Sequence, residues 1–297
     1  MTALLSEAAR ARFLAAGKWS AQEVAALVGA GSAAEGLPAA WLALVEEALP
    51  LAAMRAQAPV SAFHVGAVAV GQICPEAGAP ALYLGANLEC AGLPLAASVH
   101  AEQAAAAAAW AAGETGLLAI AASAPPCGHC RQFLCELGDP TELRIVVPGE
   151  PERRLAALLP QWFGPEQLGV NQTWMQRTFA VQAQATVAEQ AVAAARSSFS
   201  PYSGVLQGLA LEYEDGAVIA GATVESVAYN PSLTAFAMAL SRAAMQRNAP
   251  PWAALRRVVL AESSGATSLR ASIEAALAQA APGCGFERIE VQSGQAQ

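Results

Sequence analysis

Charge is scarce in this chain: Asp, Glu, Lys and Arg make up 13% of the 297 residues. Basic surplus is missing too, with a formal net charge of −8. A protein that grips nucleic-acid backbone needs lysine and arginine to displace counterions along the phosphates, so that class is excluded. No window of eighteen or more unbroken apolar residues is present to span a bilayer. The N-terminus carries Glu7 among mixed charges and lacks the basic start and apolar run of a secretory signal, so a cytoplasmic location is expected. Six cysteines, two of them in a metal-type pair, fit a reducing compartment better than a disulfide scaffold. What remains is a compact globular protein, long for one domain and comfortable for two, acting on a small, uncharged or weakly charged substrate.

The chemistry lies in one bipartite stretch. His100-Ala101-Glu102 opens one expected helix, and Pro126-Cys127-Gly128-His129-Cys130 opens the next. Zinc accepts thiolate sulfur and imidazole nitrogen, and His100, Cys127 and Cys130 would supply three ligands while leaving the fourth tetrahedral position for water. Three protein ligands indicate a catalytic site, so one zinc ion per chain is the expected cofactor. Glu102 can reach a metal-bound water without binding the metal, which suits a proton carrier. A redox reading competes, because Cys-Gly-His-Cys is also a disulfide-isomerase tetrapeptide. Against it, Pro126 stands where such motifs carry an aromatic, and His100 and Glu102 would have no part. A structural zinc would need a fourth ligand, and the remaining cysteines and histidines have no motif spacing. His129 is expected to face solvent or a neighbour, and Cys135 to be buried packing.

Periodicity and punctuation place these motifs. Residues 1–47 read as a helical arm, with short helices at Ala8–Ala16 and Ala21–Val28 and a longer one from about Pro38 to Met54. Residues 48–155 form the catalytic unit. Val65–Val70 and Ala81–Gly85 read as a hairpin, Ser98 as the N-cap of the helix running to Trp110, and Leu117–Ser123 and Arg144–Val147 as further strands. A strand-helix-strand-helix-strand order calls for parallel strands covered by helices, an α/β architecture. Alanine is the best helix former, and the run Ala104–Ala109 lets a helix lie close against a sheet.

After a linker at 156–182, residues 183–297 repeat the first half. Ser200-Pro201-Tyr202-Ser203 followed by Val205 matches Ser61-Ala62-Phe63-His64-Val65, and Gly221–Glu225 matches Gly85–Glu89. A strand at Arg257–Ala261, a helix at about Ser268–Ala280 and a strand at Glu287–Val291 complete the order. Counting eleven residues on from each glutamate aligns His100-Ala101-Glu102 with Phe236-Ala237-Met238, and Ser263-Ser264-Gly265 stands where the cysteine pair should be. The second copy cannot hold the metal. It persists, on this reading, to support an assembly in which its 227–230 loop walls a live site of the partner chain.

The HxE…PCxxC pattern resembles the signature of zinc-dependent nucleobase deaminases. With PCGHCRQFL, the linker stretch Leu159–Pro165 and the broken second copy, nearly the whole chain resembles the larger, duplicated, dimeric cytidine deaminases. The resemblance implies an α-β-α three-layer sandwich with a mixed five-stranded sheet per repeat, in two tandem copies with the second degenerate. It implies hydrolysis of cytidine or deoxycytidine to the uridine counterpart plus ammonia. It also implies that Phe63 flanks the pyrimidine, that Asn87 and Glu89 hold the ribose 3′-hydroxyl, that Ala101 contacts substrate, and that Phe163 closes the pocket of a neighbouring subunit of a homodimer. Glu225 keeps the position of Glu89 in the degenerate copy, so Glu89 is also expected to serve structure. His64 and Cys90 depart from the family pattern and are expected to alter the pocket's nucleoside edge.

Overall fold

The computed structural model describes residues 4–292. Helix α1 (Glu7–Ala16) is capped by the Ser6 hydroxyl, and α2 (Ala21–Val28) by a reciprocal Ser20–Glu23 capping box. Between them Lys18–Trp19 forms a short strand, β1, which the sequence reading of a purely helical arm did not contain. Its two residues have no strand periodicity of their own and become a strand by pairing with Leu82 and Tyr83. Helix α3 (Ala39–Ala53) runs unbroken past residue 48 and buries Leu44, Val45, Ala48 and Ala52 against the first sheet.

That sheet contains β2 (Gly66–Cys74), β3 (Ala79–Ala86), β4 (Leu117–Ala122), β5 (Arg144–Val146) and β6 (Arg153–Arg154), in the order β1-β3-β2-β4-β5-β6. The expectation of parallel strands holds for only one pair, β4 with β5. Strand β2 is antiparallel to both β3 and β4, because its tight hairpin to β3 reverses the chain before the first helical crossover. The crossovers are α4 (Ala101–Ala111) and α5 (Gly128–Leu134). A four-residue helix, α6 (Leu155–Leu158), follows β6.

The second copy runs α7 (Val187–Ser197), β7 (Gln207–Tyr213), β8 (Val218–Ala222), α8 (Ala235–Arg247), β9 (Leu255–Ser263), α9 (Arg270–Ala280) and β10 (Gly285–Val291). Its sheet order, β10-β9-β7-β8, reproduces β5-β4-β2-β3, with the same pattern of two antiparallel pairs and one parallel pair. Each copy therefore has a four-stranded centre. The first adds β1 from the arm at one edge and β6 at the other, so among the described residues neither sheet has the five strands implied by resemblance.

The repeat also extends to close contacts. A side chain on Gly85 would overlap the backbone of Ala101 and Ala105, and one on Gly221 would overlap that of Ala235 and Ala239. Helices α4 and α8 thus lie directly on β3 and β8, and they also pack on each other. Buried on nearly every side, α4 has no room for large side chains, which explains the alanine run: Ala104, Ala105, Ala106, Ala107 and Ala109 are all buried. One apolar core passes through α4, α7, α8 and both sheets, while a second lies between the arm and the far face of the first sheet. No helix among the described residues is long and apolar enough to cross a membrane.

Candidate active site

Two helix starts meet at the site. Leu88 and Val99 pair as an isolated antiparallel bridge, which keeps the chain extended through His100 and makes His100, not Ser98, the N-cap of α4. Gln103 completes the start, its side-chain oxygen accepting from the His100 backbone N–H at 3.2 Å. Cys127 is the N-cap of α5, so Cys130 lies in that helix's first turn. Arg131 fixes the preceding bend by donating to the Pro126 carbonyl at 2.8 Å and to the Leu158 carbonyl at 2.9 Å.

The ligand atoms of His100, Cys127 and Cys130 lie within 4.8 Å of one another. His100 Nδ1 is 3.4 Å from Cys127 Sγ and 3.3 Å from Cys130 Sγ, and the two sulfurs are 3.7 Å apart. A tetrahedron with zinc's usual bond lengths has sulfur–sulfur edges of about 3.8 Å and sulfur–nitrogen edges of about 3.6 Å. The donor set and its spacing therefore fit a zinc ion, bound through Nδ1 of His100. His129 stacks on the His100 ring at a centroid distance of 5.3 Å, so the neighbour it faces is the ligand itself.

Electrostatics suit the same group. The Cys130 thiol donates toward Cys127 Sγ, and that hydrogen bond, aided by the Cys130 backbone N–H, the charge of His100 and the His129 N–H, outweighs burial and lowers the Cys127 pKa to about 4. Cys130, as the donor and the more buried thiol, is pushed up in the absence of a cation. A divalent ion favours both as thiolates. Glu102 is 4% exposed, and burial raises its pKa against the opposing hydrogen bonds of its own backbone and Cys130 and the charge of His100. Burial that raises a carboxylate's pKa makes it a better proton acceptor, which suits a proton carrier beside a metal site.

A cavity of about 350 Å³ opens beside these groups, lined by His100, Ala101, Glu102 and Cys127 together with Phe63, Asn87 and Glu89. Phe63 is 60% exposed and forms its rim. Asn87 is committed to the Phe63 loop, accepting from Val65 N–H at 2.8 Å and donating to the Phe63 carbonyl at 2.9 Å. Glu89 accepts from the backbone N–H groups of Val60 and Ser61, both at 2.9 Å, and from the Ser61 hydroxyl. Burial opposes its ionisation, but these bonds and the charge of His64 hold its pKa down. A carboxylate has about four acceptor positions, so one remains for a ligand hydroxyl. Phe163 is not among the cavity residues of its own chain; its carbonyl accepts from Gln132 of α5 at 2.6 Å. His64 and Cys90 are not among the residues lining the cavity either. Cys90 is buried, its thiol pushed up to about 11 by that burial, and His64 turns to the Ala62 carbonyl at 3.2 Å.

The second copy shows what Glu89 does without catalysis. Glu225 accepts from the N–H groups of Tyr202 and Ser203 and from the Ser203 hydroxyl, so Ser203 is the counterpart of Ser61. Ala62 and Gly204, the next residues, both take left-handed backbone, with φ of 55° and 69°. The equivalent of Phe63 is therefore Val205, a shift of three from the alignment read off the sequence. Likewise Val224 pairs with Leu233 as Leu88 pairs with Val99, and Thr234 caps α8 as His100 caps α4. His100 and Glu102 thus correspond to Thr234 and Phe236, because the loop after Glu225 is two residues shorter. The ligand and the proton carrier are absent on either alignment.

A sequence profile described as "Cytidine and deoxycytidylate deaminase zinc-binding region" matches residues 41–145, and a second of the same description matches 155–274. The cytidine deaminase of Cronobacter sakazakii is 40% identical over 252 residues, which is 84% of this chain and 82% of that protein. The chain belongs to the cytidine deaminase family. Another member, from Serratia proteamaculans, is 40% identical over 75% of this chain and 74% of its own length. The solved cytidine deaminase of Mycobacterium tuberculosis is 34% identical over 41% of this chain and 95% of its own, with a TM-score of 0.35. Residues that the sequence motifs left unmarked also belong to this deaminase site: Ser61 holds Glu89, Gln103 holds His100, and Arg131 holds the Pro126 bend. Gln103 carried a signal, since a Gln three residues after an N-cap marks a capping box.

Proposed function

We propose that the chain hydrolyses cytidine and 2′-deoxycytidine to uridine and 2′-deoxyuridine with release of ammonia, in pyrimidine salvage in the cytoplasm. The observation that carries this reading is the convergence of His100, Cys127 and Cys130 at zinc spacing with buried Glu102 on one nucleoside-sized cavity. His100, Cys127 and Cys130 would hold the zinc, which would supply an acidified water as the nucleophile for ring carbon C4. Glu102 would accept the first proton of that water and deliver it to ring N3 as attack proceeds, then accept the second from the new hydroxyl on C4 and deliver it to the departing amino nitrogen. Water is consumed and ammonia leaves, so the protons balance with Glu102 restored. Two thiolates offset the metal's charge, which lets a neutral pyrimidine approach. Phe63 packs on the base, Ala101 lies beside it, and the spare acceptor of Glu89 with Asn87 takes the ribose 3′-hydroxyl.

The chain acts as a homodimer in which Phe163 of one subunit covers the other's cavity. Support comes from its place at the chain surface, 41% exposed, on the linker beside α5. The decisive experiment measures zinc per chain together with the fall in ultraviolet absorbance on mixing with cytidine. One zinc per chain and uridine formation are expected. No zinc and a readily formed Cys127–Cys130 disulfide would return the redox reading.

A further inference from the structure

Glu136 lies in the 3₁₀ turn Cys135–Leu137 that ends α5, the helix carrying the cysteine ligands. It is 0% exposed. A carboxylate in that position is costly unless hydrogen-bonded, and its resolved partners all come from the other repeat. One oxygen accepts from the Val227 backbone N–H at 2.7 Å, the other from the Tyr202 hydroxyl at 2.9 Å. Burial raises its pKa to about 7; Val227, Tyr202 and Ser226 oppose the rise, and Glu166 adds to it. Cys135 and Glu225 are the other titratable groups of this cluster, the first beside Glu136 and the second facing Tyr202.

The same loop is held from a second side. Gln103, whose oxygen fixes the His100 backbone, donates through its side-chain nitrogen to the Pro231 carbonyl at 3.0 Å. Residues 227–231 of the copy without ligands are therefore tied at one end to α5 and at the other to the start of α4. Between these ties His129, stacked on His100, shares a cavity with Asn230 and Ser232. This loop, the expected wall of a partner's site, is tied within its own chain to the copy that carries the metal motif.

We propose that Glu136 is a positioning residue: by pinning the end of α5 to Val227 and Tyr202, it makes the degenerate repeat the buttress that keeps Cys127 and Cys130 at ligand spacing. This rests on the zinc deaminase reading. A buttress acts on how firmly the metal is held, whereas a contact that serves only overall stability does not.

Full-length Glu136→Gln, Glu136→Ala and Tyr202→Phe proteins, zinc-loaded, provide the test, with zinc release to a chelator, kcat and KM for cytidine, and amide hydrogen exchange as readouts. Loss of a partner that orients metal ligands costs roughly tenfold to a hundredfold in metal retention. Glu136→Ala is expected to release zinc faster by that factor and to lower kcat with little change in KM. Glu136→Gln keeps an acceptor for Val227 and should stay within roughly threefold of the parent, with Tyr202→Phe between them. Parent-like zinc release in folded Glu136→Ala overturns the proposal, as does equal impairment of Ala and Gln. If Glu136→Ala does not fold, Tyr202→Phe decides, and parent-like zinc release there overturns it. If the parent protein itself holds no zinc or leaves cytidine unchanged, the functional reading fails separately. Exchange then judges the pin: faster exchange in both α5 and 227–231 of Tyr202→Phe supports it, and a change confined to 227–231 overturns it.

Discussion

Glu102 and Cys127 separate chemistry from metal binding. Glu102 does not lie among the three clustered ligands, so Glu102→Ala should keep zinc and fold while kcat falls by roughly 10² to 10⁴. Cys127→Ala removes one of three ligands and should lose the metal as well; zinc analysis beside turnover distinguishes the two. Glu136 gives a pH dependence of opposite sign to the usual carboxylate. Its folded pKa of about 7 lies above the usual carboxylate value of 4.5, so the native state holds the proton more tightly. Its stabilising contribution is complete below about pH 4.5 and is lost as pH rises through about 7. Urea midpoints of the parent should therefore fall relative to those of Glu136→Gln across that window, and parallel profiles would contradict the assignment. At this scale the motif residues were legible because zinc chemistry restricts residue types. Glu136 was not, because its partners lie 66 and 91 residues away.

At the scale of elements, the close approach of α4 to β3 positions His100 and Glu102. Gly85→Ala would drive a methyl group into the backbone of Ala101 and Ala105, at the first turn of the helix that carries the site. Overpacking of this kind costs about 1–3 kcal/mol, and Gly85→Ala should also reduce kcat by displacing the α4 start. Gly221→Ala makes the matching overlap with α8 and should cost similar stability with full zinc content. Denaturant titration with metal analysis compares them. Most helices and strands were legible from apolar periodicity and from Gly and Pro boundaries. The start of α4 was not, because the Leu88–Val99 bridge that holds His100 extended is a contact between segments. Strands β1 and β6 were invisible for a related reason: two residues become a strand only by pairing with an edge already formed.

The whole molecule shares one apolar core between its two copies. Removing 183–297 would expose the faces of α4 and β3 that pack on α8. That truncation should be inactive, fail to dimerise and remain insoluble, as read by size-exclusion chromatography and zinc content; an active, soluble 1–182 protein would sink the shared-core account. The aromatic group of Trp110, Phe133, Trp174 and Phe179 binds the linker into the same body, with Trp110 also donating to the Arg177 carbonyl at 2.6 Å.

The sequence by itself determined the candidate metal ligands, the candidate proton carrier, the duplication and the loss of the motif from the second copy, since each depends on residue type and order along the chain. Tertiary structure alone decided the register of the repeat, where a loop two residues shorter puts Thr234 and Phe236 opposite His100 and Glu102. It decided that Glu89 spends three acceptors on the turn of Ser61 and that the second copy's 227–231 loop grips the live site. These are matters of distance between segments far apart in sequence, and pattern along one chain carries no measure of that distance.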